Sequence, residues 1–451
     1  MDTTLRHITD FSHALQYDDL SPAAVHEAKR RVIDTLACAL GGFDAEPSKI
    51  ARVMAGKVTS KTPARILGTL EQSSPELAAF ANTVMMRYLD LNDAQGNGGG
   101  HPSDFFGALL ATAETTKTDG KTFITAIVVA YELYLSFFSA IRIGTRGFDH
   151  SVYIVISGAA GVARIMKLDH QKMANALSFA LTSNMTLGVV RRGELSMWKA
   201  CAGANAARNA IFANQLAAEG MTAPQAVFEG ENGVWDTAGK CAWPALPKAG
   251  APFRINDIQT KIHPCVYPGQ SPVEAMLKVR SELDPGEVES IVVRTYRSAW
   301  FEAGSEPEKW APATRETADH SIPFLVSAAL LDGKIDAATF SEKRITDPNL
   351  KSLMQKVQVI HDPELDALLL ANASNPCRME ITLRNGQKKL SSVDYPKGHA
   401  KNPASDREIE QKLYSLNNSL LAPDQLSKIL AMCWKLEDLD DVRELISAVK
   451  I

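Results

Sequence analysis

Apolar residues recur at the three- and four-residue spacing of an α-helix along most of the chain as far as about Val266. Two of these stretches open with an N-cap serine followed by a proline in the first turn, at Ser21-Pro22 and Ser74-Pro75. The spacing predicts helices over residues 24–40, 77–89, 123–139, 151–166, 168–182 and 199–220. Many of their apolar positions are alanine or glycine, so we expect these helices to pack closely in an all-helical domain.

The pattern changes after the segment Gly269-Gln270-Ser271-Pro272. Runs of β-branched residues predict strands over 291–296 and 357–360. Residues 379–393 indicate a hairpin, because Asn385-Gly386 suits a type I′ turn. Helices are predicted over 273–281 and 320–331, and the helical pattern returns after residue 398.

These elements predict a mainly α fold with an α+β part, in which a large all-helical domain accompanies a smaller α/β domain. The helical domain would comprise residues 1–269 and 398–451, with the α/β domain, residues 270–397, inserted between them. The alternative is that the strands form one layer of a single continuous body.

Composition narrows the class of protein. The 451 residues are 45% hydrophobic and 22% charged, which is ordinary for a globular chain long enough to hold more than one domain. The formal net charge of -4 leaves no basic excess to neutralise phosphates, so we expect no nucleic-acid partner. The 6 cysteines include no C-x-x-C pair, which favours reduced, buried thiols over a disulfide framework or an iron–sulfur cluster.

Neither the N-terminus nor the longest apolar stretch resembles a targeting or membrane segment. The first residues, MDTTLRHITD, show no basic region followed by an apolar run. The stretch 123–143 is interrupted by Glu132 and Arg142, so a buried helix explains it better than a membrane span. We therefore expect a cytoplasmic protein that binds no membrane.

Residues 88–104, YLDLNDAQGNGGGHPSD, are the most informative stretch for chemistry. A predicted helix ends in acids, a glycine-rich loop follows, and His101 precedes a proline that favours extended backbone at the histidine. Asp90 could orient the imidazole of His101, whose ordinary pKa suits proton transfer near neutral pH. The alternatives are a plain helix C-cap with a solvated histidine, or a phosphate-binding loop, although the Lys-Ser/Thr of a P-loop is missing.

Two further stretches place a histidine or basic residues beside apolar helices. His150, in GFDHS, lies at a predicted helix N-terminus, where the macrodipole favours a neutral imidazole; capping by Ser151 is the alternative. Lys199 heads an alanine-rich helix just after Arg191-Arg192, so it could bind a carboxylate or simply extend from the helix end to solvent.

Two segments near the suspected domain boundary complete the candidates. KIHPCVYPGQ holds Lys261, His263 and Tyr267 close to two prolines, either as part of a ligand site or as a structural linker. His320, in RETADHSIPF, is either a core histidine that caps a helix or a catalytic histidine. The chain has no H-E-x-x-H, no G-x-S-x-G and no G-x-G-x-x-G after a strand. We therefore expect acid–base chemistry on an anionic small molecule, with no metal and no cofactor.

Taken in order, these segments resemble the MmgE/PrpD family over essentially the whole chain. The resemblance rests on residues 90–93, 101–104, 147–150, 199, 261–264 and 315–324. The family includes 2-methylcitrate dehydratase, cis-aconitate decarboxylase and an iminodisuccinate epimerase. It implies a large helical domain with a smaller α/β domain, a homodimer, and a metal-independent site near the domain junction that binds a small carboxylate.

The resemblance also implies roles for individual residues. The catalytic residues that it implies are Asp90, His101, His150, Lys199 and Lys261. The candidate substrate-binding residues are Arg191, His263, Tyr267 and His320. Of these, His320 is a weaker match to the family pattern.

Two single residues and one loop depart from the family pattern. Ala94 stands where several members have threonine, and the loop 95–100 replaces more polar or tryptophan-containing loops. Phe324 stands where many members have tyrosine. These departures bear on the substrate more than on the fold.

The leading hypothesis is a metal-independent hydro-lyase of the 2-methylcitrate dehydratase kind that acts on a small di- or tricarboxylate. Either His101 or His150 would remove a proton next to a carboxylate, and the other would protonate the departing hydroxyl. Lys199 and Lys261 would hold carboxylates, and Asp90 would orient His101. The alternatives are decarboxylation of an aconitate, epimerisation at the same site, or a non-catalytic carboxylate-binding protein.

Overall fold

Helices make up most of the chain, and the long ones lie where the apolar spacing predicts them. The computed structural model describes residues 1–96 and 98–451; Asn97, within the predicted glycine-rich loop, lies outside the described residues. The helices are α1 Thr3–Ala14, α2 Pro22–Gly41, α3 Glu46–Gly56, α4 Pro75–Tyr88, α5 Phe106–Thr116, α6 Gly120–Ala140, α7 Ser151–Ile165, α8 His170–Thr182, α9 Trp198–Ala218, α10 Val234–Ala238, α11 Gln270–Val279, α12 Arg297–Ala303, α13 Arg315–Ala318, α14 Ile322–Asp332, α15 Glu342–Ile345, α16 Pro348–Met354, α17 Pro363–Asn372, α18 Asp406–Asn417, α19 Pro423–Trp434 and α20 Arg443–Ala448. The strands are β1 Ala64–Arg65, β2 Gln72–Ser73, β3 Val288–Thr295, β4 Val357–His361, β5 Cys377–Leu383 and β6 Lys388–Val393.

Both predicted serine caps are present. At the start of α2, Ser21 Oγ accepts the backbone N–H of Ala24 at 3.2 Å. At the start of α4, Ser74 Oγ accepts the backbone N–H of Leu77 at 3.4 Å. Each bond satisfies a backbone donor that has no partner inside its own helix, which is why the helices begin at these residues.

Helices α4, α6, α7 and α9 form the centre of the helical body. Helix α9 packs along α4 and also against α7, and α7 packs against α6. The buried residues of α7 and α9 are largely alanine, glycine and serine, so the helix axes can approach closely. This packing holds the ends of α4, α7 and α9 in fixed positions beside one another.

Helix α6 has the length and apolar composition of a membrane-spanning helix. However, 89% of its most apolar 18-residue window is buried inside the protein. This burial is typical of a helix in the core of a globular domain.

A four-stranded sheet in the order β4-β3-β5-β6 forms the smaller α/β part of the chain. Strands β3 and β4 pair in parallel, whereas β3 with β5 and β5 with β6 pair antiparallel. Buried and partly exposed residues alternate along β5, so one face of the sheet is covered. Helices α11 and α14 pack on it.

The predicted hairpin is present, but the predicted type I′ turn is wrong. That turn needs positive φ at both central residues. Gly386 has a φ of +83°, whereas Asn385 is not among the residues with positive φ. The Asn385 side chain instead accepts the backbone N–H of Gln387 at 2.9 Å, and the loop between β5 and β6 spans 384–387. The wider loop therefore needs only one left-handed residue.

Among the described residues, the two largest hydrophobic cores belong to different parts of the chain. One contains apolar residues from positions 5–258 together with residues 404–449, and the other contains residues from 265–393. This division is compatible with the predicted domains, whose boundaries remain a prediction. The last part of the chain thus returns to the helical body, where α18 packs on α2.

Lys412 of α18 joins this returning segment to two other parts of the chain. Its buried ammonium group donates to Asp34 Oδ1 at 2.6 Å, to the carbonyl of Leu91 at 2.6 Å and to the carbonyl of Lys261 at 3.1 Å. Leu91 follows Asp90, and Lys261 is itself a predicted site residue. One side chain from the C-terminal segment therefore fixes two segments of the candidate site.

Candidate active site

The candidate active site lies where the ends of several helices meet. Asp90 follows α4, His150 directly precedes α7, and Lys199 is in the first turn of α9. Lys261 lies in the segment between the two cores, and His320 lies in the turn between α13 and α14. Residues that are far apart in the sequence are therefore brought together, as the sequence motifs predict.

Asp90 is the electrostatic centre of the site. Its fully buried carboxylate makes ion pairs with Lys199 at 3.0 Å, with Arg87 at 3.1 Å and with Lys261. Burial opposes ionisation, but these cations and His320 outweigh it and hold the pKa of Asp90 well below its ordinary value. The φ of Asp90 is +51°, a left-handed conformation that is costly for a residue with a Cβ. The carboxylate is thus a permanent anion in a fixed position.

His101 presents an unprotonated nitrogen to the site. Its Nδ1 lies 2.8 Å from the backbone carbonyl of Asp93, and because a carbonyl only accepts, Nδ1 carries the proton. Its Nε2 lies 3.4 Å from Asp90 Oδ1. Burial, followed by the charges of Arg87 and Lys261, lowers the pKa of His101 well below its ordinary value. His101 is therefore a neutral imidazole whose Nε2 can accept a proton beside a carboxylate.

His150 lies next to His101, with 5.8 Å between the two ring centroids. Asp149 accepts the backbone N–H of Ser151 at 3.1 Å, so the cap of α7 comes from Asp149 and not from the Ser151 side chain. Arg191 Nε donates to Asp149 Oδ2 at 2.9 Å, and Arg191 Nη2 lies 3.5 Å from His150 Nε2. Burial lowers the pKa of His150 to about 3, so this imidazole is neutral near pH 7 as well.

His320 forms a pair with the residue before it. Its Nδ1 lies 2.6 Å from Asp319 Oδ1, and Lys199 Nζ donates to the same oxygen at 2.6 Å. The carboxylate accepts the proton on Nδ1, which leaves Nε2 of His320 unprotonated. Burial, with Lys199 adding to it, lowers the pKa of His320 to about 3.

A cavity of about 140 Å³ opens against these groups. A single water needs only about 10–15 Å³ on the same measure, so a small organic molecule fits. The predicted site residues that line it are His101, His150, Arg191, Tyr267 and His320. The cations that line it are Arg87, Arg191 and Arg192. Neutral imidazoles and guanidinium groups facing one cavity suit the removal of a proton from a molecule that carries carboxylates.

Three of the predicted catalytic residues lie behind the cavity wall and not in it. Asp90, Lys199 and Lys261 are buried and are absent from the lining. Both ammonium groups face Asp90, and Lys199 also faces Asp319. This geometry does not support direct binding of substrate carboxylates by the two lysines. The arginines that line the cavity are placed for that role instead.

The segment KIHPCVYPGQ contributes one of its two predicted substrate-binding residues to the cavity. His263 does not line it; its backbone N–H and carbonyl are bound to the side chain of Gln270 at 3.1 Å and 2.8 Å. Tyr267 lines the cavity, and its buried hydroxyl has no hydrogen-bond partner among residues 1–96 and 98–451. A polar atom of a ligand would supply that partner.

The sequence motifs missed several residues of the site. Asp149 and Asp319 each directly precede a predicted histidine, so a carboxylate beside an imidazole was a signal in the sequence. Arg87 is a lone cation among apolar residues of α4, one turn before Asp90. Glu302 also lines the cavity, but it lies in α12, a 7-residue helix that the apolar spacing does not predict.

The departures from the family pattern affect the cavity unequally. Ala94 lines it with a methyl group where several members have a hydroxyl. Phe324 is fully buried and stacks on Phe340, with 5.8 Å between the ring centroids. Because Phe324 is not among the lining residues, its ring contributes to the second core, whereas Ala94 and the loop residues Gln95, Gly96, Gly98 and Gly100 line the described cavity wall directly.

The site also places three potential metal-ligand atoms close together. Atoms of Asp90, Asp319 and His320 lie within 4.8 Å of one another. Both carboxylates are already paired with Lys199, and Asp90 is paired with Lys261 as well. A divalent cation here would lie among fixed positive charges, so this donor set does not fit a metal ion.

Comparison with known proteins confirms the resemblance seen in the sequence. The profile of the MmgE/PrpD N-terminal domain matches residues 6–242, and that of the MmgE/PrpD C-terminal domain matches residues 263–436. A 2-methylcitrate dehydratase of Cupriavidus necator is 27% identical over 95% of this chain and 93% of its own length. That of Escherichia coli strain K12 is 25% identical over 88% and 86%. The cis-aconitate decarboxylase of Homo sapiens is 24% identical over 97% and 92%. The chain therefore belongs to the MmgE/PrpD family.

Proposed function

We propose that this protein is a lyase that removes water from a hydroxylated di- or tricarboxylate, as a 2-methylcitrate dehydratase does. Relatives named as dehydratases and as a decarboxylase support a lyase at the level of the family. The observation that carries the proposal is the presence of two neutral imidazoles, His101 and His150, and three arginines around one cavity. Elimination of water beside a carboxylate needs a base for the carbon-bound proton and cations for the carboxylates.

In this proposal His101 is the base. Its Nδ1 proton is held by the Asp93 carbonyl, so Nε2 is the free acceptor. When Nε2 takes the proton, the adjacent Asp90 carboxylate stabilises the imidazolium that forms. His150 is less suited to the task because its Nε2 lies near the guanidinium of Arg191.

The arginines and the lysines of the site have different roles. Arg87 and Arg191 line the cavity, where they offset the negative charge that develops on the substrate carboxylate as the proton leaves. Lys199 and Lys261 are paired with Asp90 and keep it ionised without contacting the substrate. Two lysines near one aspartate therefore support the base indirectly.

The proposal is tested with a panel of hydroxy-tricarboxylates that includes 2-methylcitrate and citrate. Alkene formation is followed by absorbance, and the product is identified by mass spectrometry. His101→Asn should lower kcat about 10²- to 10⁴-fold, because the base is lost. His170→Asn, which changes an exposed histidine paired with Asp10, is the matched control and should keep the wild-type rate. If no hydroxy-acid of the panel gives an alkene, the hydro-lyase proposal is wrong.

Decarboxylation is the second candidate, because the human relative of nearly equal identity is a cis-aconitate decarboxylase. Both reactions begin by breaking a bond next to a carboxylate, so the same base and arginines would serve. Release of carbon dioxide from cis-aconitate by the wild-type protein would favour this candidate. Deuterium uptake from solvent without net product would indicate epimerisation, and tight tricarboxylate binding without turnover would indicate a non-catalytic protein.

A homodimer is also proposed. Four apolar side chains are exposed in and just after the segment that carries Arg191, namely Leu187, Val189, Met197 and Trp198. A second copy of the chain that covers them would remove this apolar surface from water. Sedimentation equilibrium should give twice the chain mass of 49.0 kDa, and Trp198→Glu should shift it towards one chain. A wild-type mass of one chain at micromolar concentration would contradict the proposal.

A further inference from the structure

Glu302 is a carboxyl group in the cavity that the proposed mechanism does not yet use. It lies near the end of α12, and it lines the same cavity as His101, His150 and His320. A Cβ placed on Gly98 would lie 3.6 Å from Glu302 Oε1, so the carboxyl group faces the glycine-rich loop. Glu302 is thus positioned at the wall of the cavity that this loop forms.

The carboxyl group of Glu302 has no protein partner in the part of the chain that the structure describes, residues 1–96 and 98–451. The other acid that lines the cavity, Asp149, is held by Arg191 and by the backbone N–H of Ser151. Within residues 1–96 and 98–451, no hydrogen bond or ion pair within 4.0 Å holds Glu302 in the same way. A partly buried carboxyl group without a partner is costly, and a ligand in the cavity would supply the missing hydrogen bond.

The surroundings of Glu302 favour its protonated form more strongly than water favours the protonated form of an ordinary glutamate. Burial raises the pKa of Glu302 to about 7, against the opposing charges of Arg192, Lys261, Arg191 and Lys309. The three imidazoles that line the cavity have lowered pKa values, so they are neutral near pH 7 and carry no imidazolium proton to donate. Glu302 is the lining carboxyl group that holds a proton to donate.

We propose that Glu302 is a catalytic residue that protonates the hydroxyl group as it leaves the substrate. The inference rests on the hydro-lyase function proposed above, and it assigns the substrate to the hydroxy-carboxylates. It replaces the expectation that a second histidine acts as the acid.

The step balances as follows. His101 Nε2 takes the carbon-bound proton, and the electrons of that C–H bond form the carbon–carbon double bond. The C–O bond breaks with both of its electrons on oxygen, and the oxygen takes the Glu302 proton to leave as water. Glu302 ends as a carboxylate and His101 as an imidazolium, and exchange with water returns both to their starting states.

The experiment compares Glu302→Gln with the wild type on two substrates. One is the hydroxy-acid that the wild type dehydrates, and the other is its analogue with chloride in place of the hydroxyl. Chloride leaves without a proton, so it does not need the acid. The variant should lose about 10²-fold or more in kcat on the hydroxy-acid and less than about threefold on the chloro analogue.

Two further variants serve as controls for the Glu302→Gln experiment. Glu308→Gln makes the same change outside the cavity and should match the wild type on both substrates. Glu302→Asp keeps an ionisable carboxyl group, so its kcat on the hydroxy-acid should be about tenfold higher than that of Glu302→Gln. Near-ultraviolet circular dichroism of each variant checks the fold.

The outcomes separate this assignment from the proposed function. If Glu302→Gln dehydrates the hydroxy-acid within about threefold of the wild type, or loses both substrates equally, the acid is not Glu302. If the wild type itself dehydrates no hydroxy-acid, the hydro-lyase function is wrong, and the assignment of Glu302 as its acid falls with it.

Discussion

Adding one methyl group at Gly100 tests whether the glycine-rich loop positions His150. Gly100 has a φ of +73°, and a Cβ built on it would lie 2.2 Å from both Cγ and Cδ2 of the His150 ring. Ordinary contact begins near 3.4 Å, so the ring must retreat by about 1.2 Å. Gly100→Ala therefore combines backbone strain with displacement of a ring that lines the cavity.

The magnitudes of the two effects can be separated. An alanine in the left-handed conformation costs about 1–2 kcal/mol of unfolding free energy. A displacement of about 1 Å in the site costs about 10²-fold in kcat/KM. Gly147→Ala is the matched control, because Gly147 has a φ of +86° and nothing within 4 Å of the added methyl group. It should show the strain alone and keep its activity.

Urea unfolding followed by fluorescence measures the first effect, and initial rates of alkene formation measure the second. Both variants should lose about 1–2 kcal/mol of unfolding free energy, and Gly100→Ala should lose more than the control. Only Gly100→Ala should lose about 10²-fold in kcat/KM. If its kcat/KM stays within about threefold of that of Gly147→Ala, the loop does not position His150 for the reaction.

Three further predictions follow from the described contacts. Lys412→Met leaves a buried carboxylate of α2 without its cation and should lower the unfolding free energy in urea by about 3–5 kcal/mol, whereas exposed Lys428→Met should not. Arg191→Lys should raise KM about tenfold in steady-state rates, because an ammonium group cannot make the paired contacts of a guanidinium. Since the pKa values of His150 and His320 are lowered to about 3, both rings stay neutral as the pH falls, and kcat/KM should change by no more than about twofold between pH 7 and pH 5.5. A fall with an apparent pKa near 6.5 would contradict this last expectation.

The elements of the fold follow from local sequence, but their arrangement does not. The apolar spacing and the caps at Ser21 and Ser74 depend on neighbouring residues, so α2 and α4 lie where the sequence predicts them. The parallel pairing of β3 with β4 joins segments about 60 residues apart, through α12 to α16. The sequence of β3 or of β4 does not predict which strand it pairs with, because strand pairing depends on packing across the whole sheet.

The site shows the same division between local and long-range information. His101, His150 and His320 stand out from apolar surroundings, and the family pattern predicts them. Lys199 and Lys261 stand out equally, yet they face Asp90 and not the cavity. The direction of a long side chain depends on which carboxylate lies within its reach, and this is a property of the folded chain.

The contacts of Lys412 link the site to the order in which the chain is made. The ribosome synthesises Asp90, both neighbouring histidines and Lys261 well before α18 emerges, and the helical body can begin to fold without it. Until α18 is made and docks, the carbonyls of Leu91 and Lys261 lack the Lys412 ammonium group that donates to both. In a nascent chain the reactive groups are therefore all present before the contacts of Lys412 beside Asp90 and Lys261 can form.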